Sequence, residues 1–265
     1  TLLYTDGADT LGISGSTFTV TDGDIIETVF FDNNEKGISG GKFQFTNTTT
    51  AGKAGNAPDP DGYFYDADGK QFSNVSDKLL IDQFGTGITA FNAAFAASIV
   101  QGDRFVYGSK ATTYSIGSVL NLVDANFDGQ GCTIEKNFDG VGISVTGSTV
   151  TTLLNFKLLP TSGFQPTDFA ASPTAHGIVT TDCGFRYENI ISTLHVGDAF
   201  YFDNTASEDM KNCVANNIEG TYSNRGCTIT GAVAGSNFKM FSWSFHGRFN
   251  NNEGHGLYIT STCPI

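Results

Sequence analysis

The sequence predicts an all-β protein, built as a small N-terminal β region, one capping helix and a parallel β-helix. Three observations carry this. The first is a short pattern of a small residue, an apolar residue, any residue, an apolar residue, then Thr or Asp. It occurs at Gly142-Ile143-Ser144-Val145-Thr146, Gly177-Ile178-Val179-Thr180-Thr181, Ala199-Phe200-Tyr201-Phe202-Asp203, Gly226-Cys227-Thr228-Ile229-Thr230 and Gly256-Leu257-Tyr258-Ile259-Thr260. In the Gly177 copy Thr180 takes the second apolar place, and an earlier copy, Gly117-Ser118-Val119-Leu120-Asn121-Leu122, fits with a slip of one residue. The spacings are about 25, 35, 22, 27 and 30 residues, the period of a solenoid. The second observation is alternation within each copy, which puts Ile143 with Val145 and Phe200 with Phe202 on one face. One such strand cannot bury its face alone, and stacking copies in parallel buries all of them together. The third is composition: 39% apolar and 15% charged residues, with 32 Gly and 23 Phe, as in a folded β protein with many turns.

Taken in order, residues 1 to about 50 alternate apolar and polar residues between Gly, Asp and Asn turns. Examples are Ser16-Thr17-Phe18-Thr19-Val20 and Lys42-Phe43-Gln44-Phe45-Thr46, which predict a small antiparallel unit. Tyr63-Phe64-Tyr65 and Lys70-Gln71-Phe72 flank Asp66-Ala67-Asp68-Gly69 and predict a hairpin. Residues 86–101 predict a helix with Thr86 or Thr89 as its cap and with Ile88, Phe91, Phe95 and Ile99 on its apolar face. Such a helix is suited to cover the open apolar end of the first turn of a solenoid. The expected division is therefore 1–78, a β-rich region for attachment or oligomer contact, and 79–265, the β-helix with its cap. A long excursion leaves the solenoid between Pro160 and Pro173, and Phe238, Met240, Phe241, Trp243 and Phe245 form an aromatic block suited to packing.

The formal charge of −13 repels nucleic acid and anionic membranes at long range, and fits a neutral glycan or a partner protein. No run of 18 apolar residues is present to span a membrane, and no signal peptide precedes the chain. The five cysteines, Cys132, Cys183, Cys213, Cys227 and Cys263, contain no CxxC pair and give no zinc signature. Cys132 and Cys227 share the context Gly-Cys-Thr-Ile and read as small buried apolar residues. The odd count fits synthesis in a reducing cytoplasm.

After the helix come Arg104-Phe105-Val106-Tyr107, Thr112-Thr113-Tyr114-Ser115-Ile116, Val119-Leu120-Asn121-Leu122 and Phe127-Asp128-Gly129-Gln130-Gly131-Cys132-Thr133-Ile134. This succession resembles the opening of the pectate-lyase-like right-handed β-helix, common in bacteriophage tailspikes, and the resemblance covers about residues 79–265. It departs at Asp82-Gln83-Phe84-Gly85-Thr86-Gly87, which stands where the tailspikes have an Asp-Gly-rich loop, and this leaves the subfamily open. The resemblance implies a virion surface protein, made in a bacterial cytoplasm, homotrimeric and in contact with other virion proteins. It would bind host-surface polysaccharide or decorate the particle. Because the family contains many depolymerases, a glycoside hydrolase or lyase is the alternative, and a non-enzymatic capsid decoration or cement protein is the third reading.

Parallel stacking converts the repeats into columns about 4.8 Å per step. The position before the repeated small residue reads Val141, His176, Asp198, Arg225 and His255, which aligns an imidazole, a carboxylate and a guanidinium suited to acid–base work or to a solvated ladder. Glu188, with Asp203, supplies candidate paired carboxylates for glycoside hydrolysis. Tyr201 and Tyr258 point outward and are suited to stack on sugar rings. Asp59, Asp61, Asp66 and Asp68 have a spacing that suggests a calcium loop, but the distal Glu of a complete loop is missing, so a plain turn is preferred and no cofactor is expected.

Overall fold

The structure, a computed structural model, describes residues 22–27, 41–50, 63–65, 70–102, 104–165, 174–203, 212–231 and 244–260. The chain is mostly β and divides by its contacts into two units, Thr1–Gly108 and Ser109–Ile265.

In the first unit, β1 (Ile25–Glu27), β2 (Lys42–Thr49), β3 (Tyr63–Tyr65) and β4 (Lys70–Asn74) form an antiparallel sheet in the order β1-β2-β4-β3. Alternation in β2 buries Phe43 and Phe45, and Phe45 meets Phe72 at 5.2 Å between ring centroids. The hairpin registers Tyr63 with Ser73 and Tyr65 with Gln71, as the sequence suggests. Residues 16–20 and the Asp66–Gly69 turn lie outside the described residues. Next come β5 (Leu79–Leu80), helix α1 (Gly87–Val100) and β6 (Val106–Tyr107), which pairs parallel with β5.

Thr86 is the residue preceding α1, but its side chain makes no capping bond. The buried face of α1 differs from the expected one. Phe91 and Phe95 are inside with Ala90, Ala94, Ala97 and Ser98, whereas Ile99 is 59% exposed. Small side chains allow the helix to lie close against its neighbours, and Ser98 Oγ donates to Arg104 C=O at 2.5 Å, which turns that edge inward.

In the second unit, successive strands alternate between two parallel sheets. One contains β8 (Leu120–Val123), β10 (Ile143–Thr146), β12 (Ile178–Thr181), β14 (Phe200–Asp203), β16 (Cys227–Thr230) and β18 (Leu257–Thr260). The other contains β9 (Asn126–Lys136), β11 (Thr151–Pro160), β13 (Phe185–Thr193), β15 (Val214–Thr221) and β17 (Ser244–Arg248), with β7 (Thr113–Ile116) also paired to β9. Every copy of the repeat is a strand of the first sheet, in register with the next. The early copy enters through Leu120 and Leu122, opposite Ile143 and Val145. The place before the strand is therefore Val119, and the Gly117 alignment is corrected, because the buried alternation sets the register.

The two sheets meet over a shared core. Phe185 stacks on Phe202 at 4.6 Å, and Tyr187 donates or accepts a 2.7 Å bond with Thr180 Oγ1. This explains why Thr can occupy an inward place, since its hydroxyl is bonded inside the core. At the last turn, Leu257 and Ile259 pair with the buried Cys227 and Ile229 yet are 47% and 45% exposed. Phe245 packs on Phe249 at 5.6 Å, and the rest of the aromatic block lies outside the described residues.

The second sheet holds a device the repeats do not announce. Asn155, Asn189 and Asn217 all have left-handed φ, at 56°, 55° and 52°. Asn217 Nδ2 donates to Asn189 Oδ1 at 2.8 Å, Asn189 Nδ2 to Asn155 Oδ1 at 2.8 Å, and Asn155 Nδ2 to Asp128 Oδ1 at 2.9 Å. Asn tolerates this backbone and its amide fills each rung of the ladder. Asn189→Ala is expected to cost about 2 kcal/mol, combining left-handed strain with two lost bonds. Asn189→Gly, which keeps the backbone freedom, should cost less; urea denaturation of the two variants checks the order.

Cys132, Cys183, Cys213 and Cys227 are buried thiols. Burial pushes Cys183 and Cys213 up to about 12 and Cys227 well above its ordinary value. In a Cys263→Ser protein, a thiol-specific chromogenic disulfide should therefore react only as fast as the chain unfolds. A thiol that reacts within seconds in native buffer would show that the sheets open locally there.

Candidate functional site on the outer face of the six-stranded sheet

The residues that precede the repeated small position form one hydrogen-bonded file. Gly142 N–H donates to His176 C=O at 3.0 Å, Gly177 to Asp198 at 2.8 Å, Ala199 to Arg225 at 2.9 Å and Gly226 to His255 at 3.2 Å. The structure thus brings His176, Asp198, Arg225 and His255 into consecutive positions, as the repeat register suggests.

Their side chains settle into distinct roles. The Asp198 backbone N–H donates to His176 Nδ1 at 2.9 Å, so Nδ1 carries no proton and the ring is the neutral Nε2–H form. Burial lowers the His176 pKa below 6.5; Asp198 opposes this, while Lys136 and Arg225 add to it. The 3.9 Å separation between His176 Nδ1 and Asp198 Oδ2 is consequently a contact of a lone pair with a carboxylate, not an ion pair. Asp198 is 1% exposed. Its Oδ2 lies 3.8 Å from Arg225 Nη1, and its Oδ1 has no hydrogen-bond partner among the described residues.

Arg225 is one-third exposed, with Cζ 4.2 Å from the Tyr258 ring centroid. His255 lies parallel to the same ring at 5.3 Å. Tyr201 stacks on His176 at 4.6 Å. Thr228 registers between Tyr201 and Tyr258 and is buried. The outcome is a shelf of two tyrosines, two imidazoles and a guanidinium on the outside of the sheet. The Arg225 guanidinium is thus held between the Asp198 carboxylate and the Tyr258 ring while one-third of its side chain meets solvent. Among the described residues, Arg225 and His255 lie against the Tyr258 ring and His176 against Tyr201.

The carboxylate pair is not brought together. Glu188 lies on the outer side of β13, 3.4 Å from Arg186 Nη2. Asp203 lies on the outer side of β14, where its Oδ1 accepts from Thr230 Oγ1 at 2.9 Å. The inward neighbours Tyr187 and Phe202 pack between them, so a core about 10 Å thick separates the two outer faces. Asp59, Asp61, Asp66 and Asp68 lie outside the described residues, and among the described residues no cluster of His, Cys, Asp and Glu is arranged to hold a metal ion.

Behind the shelf lies an interior polar group that the repeat pattern does not reveal. Lys136 is 1% exposed; its Nζ donates to Gly140 C=O and, at 3.4 Å, to Ala175 C=O. Burial lowers its pKa to about 8, with Asp139 opposing. His195 and Ser192 are fully buried, with Nε2 3.0 Å from Oγ. The Ser192 hydroxyl donates to Ala199 C=O at 2.9 Å, so it accepts from the imidazole and has no proton to surrender to it. This pair ties the chain together and is sealed from substrate. The alternation Cys132, Ile134, Lys136 was the signal for an inward lysine. In the first unit, an open cleft lies beside Lys42, Ser76 and Gln83, but its floor is closed by Asn74–Gln83 and Lys42–Ser76 bonds of 2.9 and 2.8 Å.

Among the described residues no helix is long and apolar enough to cross a membrane. No protein-family model matches the chain, and no curated protein matches it.

Proposed function

We propose that the second unit is a right-handed parallel β-helix and that the protein is a virion-surface protein of the tailspike kind, binding host-surface polysaccharide on the outer face of its six-stranded sheet. The handedness follows from parallel strands joined by crossovers, which are right-handed in about 98% of cases. The observation that carries the binding role is the shelf of Tyr201, Arg225 and Tyr258. It offers ring faces, a partly exposed guanidinium and phenolic hydroxyls across successive strands of one sheet. Flat aromatic faces with fixed polar groups suit sugar rings, whose C–H faces stack and whose hydroxyls accept and donate.

Binding is favoured over depolymerisation because His176 has its Nδ1 engaged by a backbone amide, Asp198 is sealed, and Glu188 and Asp203 lie on opposite outer faces. The test is incubation with capsule and lipopolysaccharide preparations from a panel of bacteria, followed by size-exclusion chromatography. Co-elution of protein with intact glycan is expected. Conversion to discrete oligosaccharides would replace the reading with a depolymerase. Intact glycan that never co-elutes would move it to particle decoration. The proposed assembly is a homotrimer, as the tailspike resemblance implies; light scattering should return three times the chain mass.

A further inference from the structure

The shelf rests on an imidazole whose hydrogen-bonding polarity depends on its proton. Neutral His176 accepts the Asp198 N–H at Nδ1, at 2.9 Å, and presents its ring to Tyr201 at 4.6 Å. An imidazolium cannot accept that bond, because both ring nitrogens then carry protons. An acceptor for a new Nδ1–H stands at Asp198 Oδ2, 3.9 Å away and now shared with Arg225 Nη1 at 3.8 Å. Protonation therefore expels the Asp198 amide and draws the carboxylate from Arg225 toward His176. Asp198 lies two residues before Phe200, where β14 begins, and three before Tyr201.

We infer that His176 and Asp198 form a proton-operated latch beneath the shelf, closed when the imidazole is neutral and opened in acid, so that the placement of Tyr201 and Arg225 is coupled to pH. The part of this inference that concerns glycan capture rests on the function proposed above; the latch itself does not.

The groups facing His176 come from several elements. Asp198 precedes β14, Arg225 precedes β16, Lys136 ends β9, Tyr201 lies within β14, and buried His195 lies behind, with Asp139 facing Lys136. Burial, Lys136 and Arg225 favour the neutral ring, and Asp198 alone favours the cation. The folded pKa is thus lowered from 6.5, and the unfolded chain binds more protons between those two values. The closed latch is fully present above pH 6.5 and is lost as pH falls through the folded pKa.

The experiment uses the full chain labelled with nitrogen-15, followed by NMR from pH 7.5 to 4.5. The Nδ1 resonance of His176 is expected to change from an unprotonated acceptor to an imidazolium nitrogen, and the Asp198 amide to shift with the same midpoint. His176→Asn places a carbonyl oxygen near the former Nδ1 and has no proton to gain, so the Asp198 amide should stop titrating there. Lys136→Met should raise the His176 midpoint. An Asp198 amide that stays still while His176 titrates, or that moves equally in His176→Asn, overturns the latch. Where a polysaccharide binds, wild-type affinity should fall roughly tenfold over this range, the weight of about one lost hydrogen bond, and His176→Asn should remove that fall. A latch that titrates in a protein with no glycan ligand at any pH sinks the glycan reading and leaves the latch standing.

Discussion

Gly177→Ala is expected to destabilise the protein by about 3 kcal/mol or more, enough to lower its soluble yield. A Cβ at this position would lie 2.3 Å from Ser192 Oγ, 2.5 Å from Ala199 C=O and 2.7 Å from His195 Nε2. Ser192 could rotate away at the loss of its bond to Ala199. The carbonyl of Ala199 belongs to the next turn of chain and is held by strand pairing, so it has nowhere to go. Ser192→Gly in the Gly177→Ala background should therefore rescue only part of the loss. Gly117→Ala is the control: its Cβ would meet only Asn137 Oδ1, at 3.4 Å, and the change should cost less than about 1 kcal/mol. Urea midpoints for wild type and the three variants test the argument. Equal stability of Gly177→Ala and wild type would mean that successive turns are not packed this closely.

The second large effect concerns Lys136. Its folded pKa, about 8, lies below the 10.5 of a free lysine, so the unfolded chain holds the proton more tightly. The penalty for burying the ammonium is complete below pH 8 and is relieved as pH rises to 10.5. At about 1.4 kcal/mol per pH unit this amounts to roughly 3 kcal/mol. The buried thiols and Tyr187 act in the opposite sense above pH 9, because the fold resists their deprotonation. The informative quantity is thus the difference between wild type and Lys136→Met, in which those groups cancel. Wild-type stability should gain about 3 kcal/mol on the variant between pH 8 and pH 10.5. A difference that stays constant across this range would show that Lys136 reaches water.

Much of the second unit was legible in the sequence because its strands alternate strictly. Buried places at Ile143, Val145, Phe200 and Phe202 fix the strand faces, and once one residue of a strand is placed, its neighbours in the column follow. That is why His176, Asp198, Arg225 and His255 could be aligned from the repeats. The side-chain outcome was less legible. Nothing in the pattern tells that a backbone amide would occupy His176 Nδ1, or that Arg225 would lie over Tyr258. The asparagine ladder was visible as Asn155-Phe156, Asn189-Ile190 and Asn217-Ile218, an Asn before an inward apolar residue, but it lies in the sheet whose strands lack the Gly signature. The helix was found from its spacing, yet its buried face was misjudged at Ile99, because apolar character alone overlooks how closely alanines allow a helix to pack.

The most direct measurement is the affinity of a co-eluting polysaccharide for wild type, Tyr201→Ala, Arg225→Ala and Glu188→Gln. The first two substitutions alter the shelf, and the third alters the outer face of the other sheet. Binding through the shelf predicts losses of about tenfold for Tyr201→Ala and for Arg225→Ala, from one stacked ring or one set of donors, with Glu188→Gln unchanged. Full affinity in both shelf variants, or an equal loss in Glu188→Gln, would contradict the account.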